Sequence, residues 1–523
     1  MEMYKRKMSK DKILKVNTDL LKISIKDETQ YKNITTLEVC GMNNKDFLQC
    51  IEKLDNVENI IIHNASNVIV DETLVKIKNQ SNIKSLILDN VKIPRLKLLD
   101  NMTNISMMSF NNIKDRRLYT FLKNYKNKSY IQYLTLENVE LKEFNFNVIE
   151  KYICLKTINI NNVETNWENI SSLFNLNFIE KINIHIKNSS IELIQSLVAE
   201  LKGKKIPKYC ELTIKINNSN NNFYNSIIFK KDGKVEGRIN TSKIKEYAFL
   251  LKLYDELVIY IDANINFNQY LRQLSSIKKI RIIIPNCAML TTRKAEYLNK
   301  NLNICTVNIF DFNERIYSDI QKHTYDINDY IRLRQYIDSY INNILIKSSK
   351  LERFLTLYYR LGKDVIYNKA YDLDGDAFRS GLIEKKCGSL GFTLLLKNLS
   401  ACLGIKTNLI LGKYNNKTIV WNQVELEHKW YNVDISNDSL LIRSRKGSKY
   451  CLLSNEDFQE SHVFGVARFE NCAKTYDSRV VNRYFKFGRI IDYRGRIIKI
   501  IKKIELLIKS NGIKRLTDGS TKW

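Results

Sequence analysis

The stretch Ile83–Val91 reads IKSLILDNV, and Ile131–Val139 reads IQYLTLENV. Each has apolar residues at positions one, four and six, asparagine at eight and an apolar residue again at nine. The alternation around four and six is that of a short strand with one face inward. The frame returns at Ile34 (ITTLEVCGM), Val57 (VENIIIHNA), Ile105 (ISMMSFNNI), Leu155 (LKTININNV) and Ile179 (IEKINIHIK). The fourth-position residues are Leu37, Ile60, Leu86, Met108, Leu134, Ile158 and Ile182, at spacings of 23, 26, 22, 26, 24 and 24. Looser copies place Leu212, Leu257, Ile280 and Val307 at the same position. One such unit cannot bury its apolar face alone. Stacked units can, so the pattern predicts a solenoid over 30–312, preceded by an N-terminal segment, 1–29.

The period and the L-x-x-L-x-L core resemble the leucine-rich repeat family. That resemblance implies an α/β solenoid with a curved parallel sheet and a polar face that binds a protein or peptide partner. The family's asparagine normally stands at position nine. Here nine is apolar (Val91, Ile113, Val139, Val163) and the asparagines fall at eight (Asn64, Asn90, Asn112, Asn138, Asn162). They are read as turn residues tolerating left-handed backbone, not as an asparagine ladder. The expected exposed face includes Ser85, Asp89, Tyr133, Glu137, Lys156, Asn159 and His185. His63 and His185 are read as surface residues without carboxylate neighbours. No acid/base pair or metal cluster recurs.

From about 315 the pattern changes. Phe354, Leu357, Tyr358 and Leu361 mark one helix face. Phe392, Leu395, Leu396, Leu399 and Leu403 mark another, stopped by Gly404. KTNLILG then reads as a strand, and TIVWNQVELEHKWYNVDI as a hairpin turning at His428-Lys429.

Several segments here resemble transglutaminase-like, papain-related domains of bacterial type: SLGFT (Ser389–Thr393), VWNQV (Val420–Val424), KWYNVDIS (Lys429–Ser436) and YCLLSNEDFQESH (Tyr450–His462). The resemblance implies an α+β cysteine-proteinase-type domain over 315–465. The family's chemistry needs a cysteine at a helix N-terminus, a histidine base on the first hairpin strand and an aspartate on the second to orient it. Matched residue by residue, those positions hold Ser389, Ile419 and Asp434. Serine without a base is a poor nucleophile, and isoleucine takes no proton. The resemblance therefore implies a degenerate site in a non-catalytic interaction protein. Asp434 then serves to hold the hairpin. The competing expectation is a thiol enzyme, a cysteine protease or acyl-transferase, using Cys387 two residues upstream. His462 matches the family's terminal histidine, which is not the base.

Composition bounds the rest. The chain has 523 residues, 44% of them hydrophobic, so more than one core is expected. Its net charge is +28, set against heavy use of lysine, asparagine and isoleucine throughout. The surplus is densest in 466–523: from Arg468 to Trp523 there are 15 Lys/Arg and 5 Asp/Glu. Within it, Ile497, Ile501, Ile504 and Ile508 fall on one helical face among lysines. That is read as a helix docked on the preceding domain, with binding to an anionic membrane or nucleic acid as the sharper alternative. The ten cysteines are scattered without a CxxC, so no disulfide framework, zinc site or other cofactor is expected. No signal peptide or membrane-length apolar run is visible, and a cytoplasmic protein is expected.

Overall fold

The structure is a computed structural model. It describes residues 13–17, 32–41, 51–140, 145–163, 167, 169–187, 191–201, 206–207, 209–217, 225–263, 266–310, 323–347, 349–368, 376–465 and 469–487. By packing, the chain divides into two units: Met1–Tyr260 with Asn264–Ile280, and Ile261–Ala263 with Arg281–Trp523.

In the first unit the strands follow chain order. They are β1 (Ile13–Asn17), β2 (Thr36–Gly41), β3 (Asn59–Ala65), β4 (Ser85–Asp89), β5 (Met107–Asn111), β6 (Tyr133–Glu137), β7 (Thr157–Asn161), β8 (Lys181–Lys187) and β9 (Glu211–Asn217). All nine are parallel, and the fourth-position residues stand in register: Leu37 with Ile60, then Leu86, Met108, Leu134, Ile158, Ile182 and Leu212. Each is at most 1% exposed. The sheet begins earlier than expected, because β1, from the segment 1–29, pairs with β2 through Leu14 and Leu37.

Position eight explains how each strand ends. Asn64, Asn90, Asn112, Asn138 and Asn162 have φ of 49°, 50°, 53°, 51° and 51°. Left-handed backbone costs most L-residues about 1–2 kcal/mol, and asparagine tolerates it best after glycine. The turn sends position nine back inward, where Val91, Ile113, Val139 and Val163 are buried. The same asparagines also form a ladder, contrary to expectation. The Nδ2 of Asn90 donates to Asn64 Oδ1 (2.7 Å), that of Asn138 to Asn112 Oδ1 (2.9 Å) and that of Asn162 to Asn138 Oδ1 (2.6 Å). Asn112 donates instead to Asp89 Oδ1 at 2.7 Å. The shift of the column by one position has kept the stacking.

The outer returns are mostly single turns, with helices α1 (Asn67–Lys76), α2 (Arg117–Asn124) and α3 (Ile191–Leu201). After β9 the repeat is interrupted by an antiparallel pair, β10 (Asn225–Phe229) and β11 (Val235–Asn240). Its turn carries Asp232-Gly233, with Gly233 at φ 81°. β12 (Glu256–Tyr260) then resumes parallel pairing with β11. Ser85, expected on the exposed face, is buried.

The division between units passes through β13 (Lys279–Ile284). In the second unit, α4 (Thr292–Asn301) and β14 (Ile304–Ile309) make the last repeat, and β15 (His323–Asp326) pairs antiparallel to β14. The helices α5 (Ile327–Leu345), α6 (Lys350–Asp364) and α7 (Ser389–Cys402) follow, with the short parallel pair β16 (Ile366–Tyr367) and β17 (Lys386–Cys387) before α7. Residues 281–310, expected to close the solenoid, pack inside this unit. Tyr330 O–H donates to Leu290 O, Thr292 O–H to Asp338 Oδ2, and Cys287 N–H to Asn398 Oδ1.

A five-stranded sheet lies beside α7. Its strands are β18 (Thr407–Tyr414), β19 (Lys417–Leu426), β20 (Lys429–Val433), β21 (Cys451–Leu453) and β22 (His462–Phe464), in the order β21-β20-β19-β18-β22. Two-residue turns with both φ positive join β18 to β19 (Asn415-Asn416) and β19 to β20 (Glu427-His428). Their twist matches that of the strands. The second turn therefore sits one residue before the expected His428-Lys429. Helices α8 (Ile435–Arg443), α9 (Asn455–Gln459) and α10 (Ser478–Phe487) complete the unit.

Within the segment expected as a basic C-terminal tail, residues 469–487 pack into this unit. Gln423 and Glu470 exchange hydrogen bonds, and the Phe485 ring of α10 lies 5.9 Å from Tyr358 of α6. The basic stretch 490–523 lies outside the described residues.

Candidate functional site

The three matched positions fall at the start of α7 (Ser389), on β19 (Ile419) and just after β20 (Asp434). Ser389 opens α7, with Gly388 as its N-cap, and is 6% exposed. Thr393 fastens that first turn to the sheet. Its hydroxyl lies 2.7 Å from Ser389 O and 3.0 Å from Val420 O, and Asn422 Nδ2 donates back to Thr393 O at 3.2 Å. Leu390 and Leu394 pack on Val420, Leu409 and Leu411. The helix N-terminus is thus held against β19, the strand that carries Ile419.

Side chains alternate along β19. Val420 and Asn422 meet α7, whereas Ile419 joins the apolar cluster of Ile410, Trp421, Tyr450 and Phe458. Position 419 is part of that packing and offers no base.

Asp434, the third matched position, is buried and bonded by four donors. Ser436 O–H donates to Oδ1 (2.6 Å), as does Asn437 N–H (3.1 Å). Asn437 Nδ2 donates to Oδ2 (2.6 Å), and His462 Nε2 lies 3.1 Å from the same oxygen. The carboxylate caps α8 and ties β22 to the end of β20. With the Nε2 proton directed at Asp434, His462 Nδ1 is left to accept from Ser461 O–H at 2.9 Å.

His462, matched to the family's terminal histidine and not to the base, is enclosed. Its side chain has no solvent exposure. Phe458 stacks on the imidazole at 3.9 Å between centroids, and Tyr414, Tyr450 and Trp421 wall it at 4.9, 5.1 and 5.3 Å. The aspartate that would orient an imidazole at position 419 instead holds one from β22. Asp434 and His462 are 28 residues apart, and nothing in their spacing announces the pair.

Cys387, the alternative nucleophile, is 0% exposed. It is closely packed: a Cβ added at Gly391 would lie 2.4 Å from Cys387 Cβ, and one at Gly381 would lie 3.1 Å from its Sγ. The nine described cysteines are all free thiols.

Asp438 escaped the sequence reading. It is fully buried and accepts from Tyr358 O–H (2.8 Å), Lys449 N–H (2.7 Å) and Tyr450 N–H (3.1 Å). Burial pushes its carboxyl up to about 7, against those hydrogen bonds. The available signal was its place one helical turn after the N-cap Asp434, on the buried side of α8.

In the first unit the exposed strand face is polar and bonded to itself. His63 Nε2 lies 3.2 Å from Glu38 Oε1, so the expectation that it lacks a carboxylate neighbour is corrected. Asn183 donates to Asn159, and Asn159 to Thr135. Among the described residues no group of three or more His, Cys, Asp or Glu is placed to hold a metal ion.

No protein-family model matches the chain, and no curated protein matches it in sequence. Similar solved structures include a TGase, 12% identical over 49% of this chain and 59% of its own, at a TM-score of 0.19. The chain thus spans less than two thirds of that protein. Another is the internalin InlF of Listeria monocytogenes, 13% identical over 51% of this chain and 85% of its own, at a TM-score of 0.24. At these scores the likenesses carry no functional weight. Among the described residues no helix is long and apolar enough to cross a membrane.

Proposed function

We propose that the protein is a non-catalytic interaction protein. Its leucine-rich-repeat-like sheet binds a protein or peptide, and its transglutaminase-like unit is a scaffold whose site has lost its chemistry. The observation that carries this reading is the fate of the three matched positions. Ser389 has no base at position 419, because Ile419 belongs to an apolar cluster. Asp434 is taken up by His462 and the cap of α8. The polar, self-bonded strand face supports recognition rather than reaction.

The competing reading, a thiol enzyme using Cys387, needs an accessible thiolate. A buried thiol packed against Gly391 argues against it. Time-resolved alkylation of the folded protein at neutral pH, read by peptide mass spectrometry, tests the choice. The partly exposed Cys40, Cys154, Cys305 and Cys402 are expected to react well before Cys387. Labelling of Cys387 ahead of those four would sink the non-catalytic reading.

A further inference from the structure

Two cysteines of the second unit stand outside the site described above. Cys287 opens the short turn Cys287–Met289 after β13, and Cys402 is the last residue of α7. Three hydrogen bonds fix where that turn and the start of α4 lie. Cys287 N–H donates to Asn398 Oδ1 at 3.0 Å, Tyr330 O–H to Leu290 O at 2.7 Å and Thr292 O–H to Asp338 Oδ2 at 2.6 Å. Asn398 is itself held. Its Nδ2 donates to Leu394 O at 3.0 Å, one turn back along α7, which leaves its oxygen to face Cys287.

Asn398 and Cys402 are four residues apart on one helix. Such residues share a face, with Cβ atoms about 5–6 Å apart. The backbone nitrogen of Cys287 therefore meets α7 one turn from Cys402. Burial pushes the Cys287 thiol well up, and nearby Cys402 adds to this ahead of Arg334 and Asp338. A disulfide joins cysteines whose Cα atoms are about 4.4–6.8 Å apart, the scale of one helical turn.

The two thiols differ in access. Cys287 is 0% exposed, whereas Cys402 is partly exposed. One can meet a reagent from solvent, and the other can resolve the product from inside. A buried cation stands beside both. Arg334, 5% exposed, donates to Asp338 Oδ1 at 2.6 Å, and its Nε has no hydrogen-bond partner among the described residues. Its charge pulls both thiols down, against the burial that pushes Cys402 up to about 11. A thiolate formed at either cysteine thus has a counter-ion.

We infer that Cys287 and Cys402 form a redox-modification site, two thiols that close to a disulfide and tie the last repeat to α7. The inference goes beyond the proposed function and does not depend on it. Under reducing conditions both remain thiols, and a disulfide oxidant such as glutathione disulfide converts them. The Cys402 thiolate attacks one sulfur of the oxidant, and the glutathione released takes up the proton that Cys402 lost. The Cys287 thiolate then attacks the Cys402 sulfur of the mixed disulfide and releases the second glutathione, which takes up the other proton. Two protein thiols lose two electrons, and one glutathione disulfide is reduced to two thiols. The new bond closes a long chain loop, the kind of cross-link that constrains the unfolded chain most.

The test is oxidation of the folded full chain with glutathione disulfide at about pH 8, then digestion without reduction and mass spectrometry of linked peptides. A Cys287–Cys402 peptide is expected as the main linked product, and it should lose that place when urea unfolds the chain before oxidation. In Cys287→Ala the reaction should stop at a glutathione adduct on Cys402. Hydrogen exchange of the 281–310 amides should slow at least about tenfold in the oxidised protein and recover on reduction with dithiothreitol.

A parent protein that keeps a glutathione adduct on Cys402 would overturn the pairing. Linkage of either thiol to a different cysteine, or no reaction at Cys402, would overturn it as well. If the disulfide forms but exchange across 281–310 is unchanged or faster, the tie to α7 is wrong and the proposal falls. Mapping on the parent chain decides the pairing even where Cys287→Ala does not fold.

Discussion

Replacing Asp434 with alanine strands four donors at once. Ser436 O–H, Asn437 N–H, Asn437 Nδ2 and His462 Nε2 all lose their acceptor in the buried region between β20, β22 and α8. A buried donor left unmade costs about 1–3 kcal/mol, and the ones nearer the surface recover part of that from water. Loss of an N-cap adds about 1 kcal/mol. The expected destabilisation of the second unit is therefore about 3–5 kcal/mol. His462→Ala should cost a similar amount, since it also empties the cage of Phe458, Tyr414, Tyr450 and Trp421. The double variant should cost less than the two singles summed, by about 1.5–3 kcal/mol, because each single already breaks the same contact. The assay is hydrogen exchange of the β18–β22 amides read by mass spectrometry. It yields local opening free energies without assuming that the whole chain unfolds in one step. Singles that add to within about 0.5 kcal/mol would refute the coupling. An Asp434→Ala protein as protected as the parent would refute the structural role altogether.

Asp438 makes stability depend on pH. Its folded value of about 7 lies above the ordinary carboxyl range, so the stabilising contribution is full below about pH 4 and is lost as pH rises toward 7. About 3 kcal/mol should disappear between pH 5 and pH 8, and Asp438→Asn should flatten that slope in urea titrations at the two pH values. Asn138 separates backbone from ladder. Asn138→Ala must hold φ near 51° and should cost about 1–2 kcal/mol more than Asn138→Gly, which loses the side-chain bonds but not the conformation. Equal melting temperatures for the two variants would remove the backbone argument. Gly391→Ala places a methyl 2.4 Å from Cys387 Cβ and 2.9 Å from Ala377 O. It should destabilise by roughly 1–3 kcal/mol despite alanine's better helix propensity, and a neutral result would mean that Cys387 can move aside.

The sequence by itself determined the strands, their inward rows and their left-handed ends. Alternation and residue type act over a few bonds: Leu86 and Leu88 point one way because a strand pleats, and Asn90 turns because few other residues can. It also determined that positions 389 and 419 lack the thiol and the imidazole, since no fold supplies an atom that a side chain does not have. Tertiary structure decided who meets whom. The ladder from Asn64 to Asn90 needs two repeats stacked in register across 26 residues. His462 reaches Asp434 because β22 lies on the far side of β18, a sheet order that strand propensities do not encode. The last repeat packs with the second unit because Leu290, Thr292 and Cys287 find partners on α5 and α7. Local chemistry is written residue by residue; partnership depends on register, face and strand order, which only the packed chain fixes.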